Sequence, residues 1–78
     1  MQAGLLWFDN DPARSVAAKA TDTAERFAEK FGVAPDVCYV NARALKEGEL
    51  VISFHEGQLR LTPASNILVN HFWIGFGS

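Results

Sequence analysis

Gly4-Leu5-Leu6-Trp7-Phe8-Asp9-Asn10-Asp11-Pro12 is an apolar run of strand length, cut by an acidic turn that ends in proline, with an amphipathic stretch directly behind it. That succession is a strand feeding a helix. Behind the turn, Val16, Ala20, Ala24, Phe27 and Phe31 recur at spacings of four, four, three and four, which is one face of a helix. Ala13, Ala17 and Ala28 widen the stripe, and Phe27 and Phe31 are expected to supply most of its buried bulk. Arg14, Lys19, Asp22, Glu25, Arg26, Glu29 and Lys30 are assigned to solvent, with Asp22 and Arg26 placed for an ion pair. Pro12 suits a first helical turn and Gly32 a left-handed C-terminal cap, so the spacing predicts a helix over residues 12–31.

Further along, Val37-Cys38-Tyr39-Val40 follows a turn signal and reads as a second strand. Strand, helix and strand in succession predict a crossover joining parallel neighbours. Residues 41–48 are expected to form a loop or a single helical turn. Glu56-Gly57 reads as a two-residue hairpin turn, pairing Phe54 with Leu59, Ile52 with Leu61 and Leu50 with Pro63, so that the apolar pairs share one face. Residues 67–76 read as the last strand, with Leu68, Asn70, Phe72, Ile74 and Phe76 on one side and Ile67, Val69, His71 and Trp73 on the other. A strand this apolar on both sides lies centrally or at an edge that docks another copy. The fold class is therefore α+β: one long helix on one face of a four- to five-stranded mixed sheet, in the order β-α-β-β-β-β, as a single domain over residues 1–78.

Composition narrows the function. Seven basic against nine acidic side chains leave a formal charge of −2, which gives no basic footprint for nucleic acid. No stretch approaches the roughly 18 apolar residues of a membrane span, and no basic region precedes an apolar core as in a secretory signal. The lone cysteine, Cys38, lies in a predicted strand and reads as a small buried hydrophobe, which suits a reducing cytoplasm. With 49% hydrophobic residues in 78, some apolar surface is expected to remain for a partner, and a homo-oligomer is the expectation.

Chemistry would most plainly sit at the acidic turn. Asp9 and Asp11 at a strand end have the spacing to share a hard cation, and His71 is the histidine that would act with them as a base. The simpler reading is that Asp9, Asn10 or Asp11 caps the helix. His55, beside the hairpin turn, reads as an exposed loop residue. Asn70 and His71 within an apolar strand need hydrogen-bond partners, expected from the Asp9 turn or the Asn41 segment.

The run from Leu5 to Asp11 resembles the opening of haloacid-dehalogenase-class phosphotransferases, whose first carboxylate is nucleophile and magnesium ligand and whose second is acid/base. The resemblance stops at those seven residues, because the rest of that family's domain does not fit in 78. The first strand and helix also resemble those of small CRISPR-associated nucleases, whose pattern requires a second long helix. Gly4 to Pro12 with Arg14-Ser15, the segment Pro35-Asp36-Val37-Cys38-Tyr39-Val40-Asn41 and His71-Phe72-Trp73-Ile74-Gly75 are together similar to small uncharacterised bacterial proteins, a likeness that carries no activity across. The expectation is a non-catalytic protein-interaction module that self-associates through its C-terminal strand, with Ile67, Val69, Trp73 and Phe76 as contact residues and no cofactor. The alternatives are a metal-dependent hydrolase or phosphodiesterase built on Asp9, Asp11 and His71, and a nucleic-acid-binding accessory protein.

Overall fold

In the computed structural model, which describes residues 4–77, the opening apolar run forms strand β1 (Gly4–Phe8) and the amphipathic stretch forms helix α1 (Val16–Phe31). Residues 1–3 and 78 of the expected single domain lie outside the described residues. There follow β2 (Val37–Asn41), a 3₁₀ turn at Ala42–Ala44, β3 (Leu50–Phe54), β4 (Gly57–Ala64) and β5 (His71–Gly75). The five strands make one mixed sheet in the order β1-β5-β2-β4-β3 with the helix against one face, the expected α+β class. Among the described residues, no helix is long and apolar enough to cross a membrane.

The helix starts later than Pro12. Asp9 Oδ1 accepts the Asp11 N–H at 3.0 Å and Asp11 Oδ1 accepts the Ala13 N–H at 2.9 Å, so each carboxylate closes a turn two residues on. Helix capping falls instead to Ser15, whose Oγ accepts the Ala18 N–H at 3.1 Å. The other end is as expected: Gly32 has φ +74° and donates its N–H to the Ala28 carbonyl at 2.8 Å.

Ala20, Ala24 and Phe27 are fully buried against Cys38, Val40, Leu59, Leu61, Phe72 and Ile74 of the sheet. Each large apolar side chain buried there contributes about 1.5–3 kcal/mol. Two helix assignments change. Phe31 is 39% exposed at the rim, and Lys19, expected in solvent, is 9% exposed with its Nζ donating to the Asp9 carbonyl at 3.2 Å. Asp22 pairs with Arg14 at 2.9 Å, while Arg26 lies over the Trp7 ring at 4.5 Å.

The crossover does not join neighbours. β1 and β2 run the same way, but β5 inserts between them antiparallel to both, and the parallel partner of β2 is β4. The hairpin turn is His55-Glu56, with His55 at φ +56°, so Phe54 pairs with Gly57, Ile52 with Leu59 and Leu50 with Leu61. That register is displaced by two residues from the expected one. A displacement of two is a full period of a strand, so every side chain keeps its predicted face.

Strand β5 is shorter than expected. Residues 67–70 turn, with the His71 N–H donating to the Leu68 carbonyl at 3.1 Å and Asn70 at φ +65°. Ile67 and Val69 consequently stand outside the strand to which the sequence assigned them. The strand itself is central, hydrogen-bonded on both sides, which closes edge pairing as a route for β5.

Candidate functional site

The acidic turn is held by its own neighbours. Asp9 Oδ2 meets Arg14 Nη1 at 3.1 Å while its Oδ1 takes the Asp11 N–H, and the same guanidinium reaches Asp22 Oδ2 at 2.9 Å and the Ala18 carbonyl at 3.1 Å. Arg14 thus ties the turn to the first turns of α1. Asp9, Asp11 and His71 are not assembled for a metal: among the described residues, no three His, Cys, Asp or Glu side chains are placed to hold one.

Both histidines have protein partners. His55 is exposed and its Nε2 lies 3.2 Å from Glu25 Oε1. His71 Nδ1 lies 3.0 Å from the Val69 carbonyl; since a carbonyl only accepts, Nδ1 carries the proton. The ring also packs on Phe8, centroids 5.1 Å apart. Its partner is thus the turn before its own strand. The Asn41 segment serves the same turn differently, donating from Nδ2 to the Ile67 carbonyl at 2.7 Å. The Asp9 turn meets Asn70 through backbone, Asp9 N–H to Asn70 carbonyl at 2.9 Å, and the Asn70 residue is exposed.

Cys38 lies in β2 with its thiol pushed up to about 12 by burial, a core group without nucleophilic character at neutral pH.

The surface that stands out is the sheet face away from the helix. Alternation along β1, β5 and β2 turns Leu6, Phe8, His71, Trp73 and Tyr39 onto it. Leu6 is 60% and Phe8 53% exposed. Trp73 lies against Gly4: a Cβ at Gly4 would come within 3.0 Å of three carbons of the indole, so a larger residue there must displace the ring. Tyr39 packs beside it at 5.6 Å between centroids. The β4 and β3 side of the same face is polar, with Arg60 Nε 3.5 Å from Glu49 Oε2 and Thr62 donating to that carboxylate at 3.2 Å.

Of the four expected contact residues, Trp73 is at the middle of this face. Phe76 belongs to the opposite side, packed edge-on against Phe27 at 5.5 Å, because it has the phase of Phe72 and Ile74. Val69 is exposed and Ile67 partly buried in the turn before β5. Leu6 and Phe8 were missed: their strand alternation marks them as facing away from Leu5 and Trp7, but nothing in the sequence says that the helix covers only the latter pair. Compared with protein-family models, with curated proteins and with solved structures, the chain matches none.

Proposed function

We propose that this chain is a non-catalytic interaction module that pairs with a second copy through the outward side chains of β5 and β1. The observation that supports it is the cluster Leu6, Phe8, Trp73 and Tyr39 on a sheet face with no covering element among the described residues. Contiguous exposed apolar surface of this kind is what association buries.

A second copy fits because the β1, β5 and β2 part of the face is apolar. Arg60 is the one basic side chain that strand alternation places on the face as a whole, and Glu49 neutralises it. A two-fold pairing sets the same patch against itself, which apolar groups tolerate and surplus charge does not. Nucleic acid would require cations beside the aromatics, and among the described residues strand alternation places no other Lys or Arg on this face. Because β1 and β2 occupy both edges of β5, the C-terminal strand contributes side chains and not backbone. With its single thiol buried, the chain suits a reducing compartment, and we place it in the cytoplasm.

Sedimentation across a dilution series tests the reading. A dimer that dissociates on dilution, and that is lost in Leu6→Lys with the fold intact, is the expected outcome. A monomer at high concentration overturns it.

A further inference from the structure

The first turn of α1, the 3₁₀ turn and the end of the loop before β5 enclose a cleft of about 290 Å³. We infer that it binds a small organic anion whose carboxylate or phosphate head is held by Lys19 and Arg43. The inference goes beyond self-association, since the residues that carry it belong to the helix and the 3₁₀ turn and not to the patch around Trp73.

Lys19 is the main reason. The side chain is nine-tenths buried at the cleft wall, and its one hydrogen-bond acceptor among the described residues is the neutral Asp9 carbonyl at 3.2 Å. The nearby Asp9 carboxylate is engaged by Arg14 and by the Asp11 N–H, and among the described residues Lys19 has no ion pair. An anion arriving from solvent would give this ammonium a charged hydrogen-bond partner in place of the single neutral carbonyl.

The rest of the cleft agrees. Arg43 lines it and has no ion pair among the described residues, while Asn41 Oδ1 accepts the Arg43 N–H at 2.9 Å and fixes the turn that carries it. Among the described residues no Asp or Glu lines the cleft, although acidic residues outnumber basic ones in the chain by nine to seven. Val16, Val40 and Phe72 give apolar wall for the body of the ligand. A volume of about 290 Å³ has room for roughly ten groups of water's size, a head and one ring or short chain.

Titration of the isotopically labelled full chain with benzoate and with phenyl phosphate, at constant ionic strength, separates the two heads by amide shifts. The expected result is saturation by at least one of them, with the largest shifts at Lys19, Ala44 and Asn70. Lys19→Met keeps the methylene packing and should weaken that binding by at least about tenfold. Arg43→Gln, at an exposed position, should weaken it by roughly threefold, and decides the matter alone if Lys19→Met does not fold. Failure of both anions to saturate, or equal affinity in parent and folded variants, overturns the inference.

Discussion

The two faces of one sheet are built from the same strands in alternate residues, yet they end in opposite states. On the helix side Cys38, Leu59, Leu61 and Ile74 are fully buried, whereas on the other side Leu6, Phe8 and Val51 are about half exposed or more. Apolar character does not separate them, since Leu6 and Leu61 are the same residue type. What separates them is that a single helix covers a single face. Leu6 and Phe8 on β1 adjoin Trp73 on β5 and Tyr39 on β2, while Val51 stands apart on β3 among the charge and hydroxyls of the β4 and β3 side, so the apolar cluster marks out a surface at one end of the face.

Truncation on the two faces should break the symmetry most forcibly. Leu61→Ala or Ile74→Ala is expected to lower stability by about 2–5 kcal/mol in urea unfolding. Leu6→Ser, compared with the parent at concentrations low enough for both to be monomeric, should stay within about 0.5 kcal/mol of the parent. Equal losses would mean that the outward face is packed as tightly as the core.

The burial of Cys38 adds a pH signature to the helix side. Its thiol loses a proton at an ordinary value of 9.0 when unfolded and only near about 12 when folded. Below 9 both states hold the proton and the stability is fully present; above it the unfolded state alone releases it. Stability should therefore fall with rising pH by about 1.4 kcal/mol per unit in that window. Subtracting the curve of Cys38→Ala isolates this slope from other groups, and a difference flat in pH would show that the thiol is solvated.

Smaller effects sharpen the outward face and its boundary. Gly4→Val must lift the Trp73 ring, costing about 1–3 kcal/mol, with a red-shifted indole emission as the readout. Ser15→Ala should cost about 1 kcal/mol in thermal unfolding, while Asn10→Ala costs less, since the hydroxyl and not the acidic turn caps the helix.

Strand and helix types were legible because alternation and the 3.6-residue period act locally. The stripe Val16, Ala20, Ala24 and Phe27 placed the buried side of α1, and the pairing parity of β3 and β4 survived a register error of two. The order of the strands was not legible, because insertion of β5 between β1 and β2 depends on contacts distant in sequence. Lys19 was misplaced by its residue type, although it falls with Thr23 in the same helical band as Ala20, Ala24 and Phe27. At the candidate surface, Trp73 could be assigned from its strand, but Leu6 and Phe8 required knowing which face the helix occupies. The acidic turn read as architecture, and its carboxylates do organise the chain, through Asx turns and Arg14 in place of a cap.

An equimolar mixture of labelled and unlabelled chain, observed by isotope-filtered nuclear Overhauser effects, reports directly on which atoms face a second copy. Cross-peaks between protomers from the Trp73 indole to Leu6, Phe8 or Tyr39 are the predicted result. Contacts arising only from the outer side of α1 or the β3 edge, or none at concentrations where the dimer should be populated, would contradict the account.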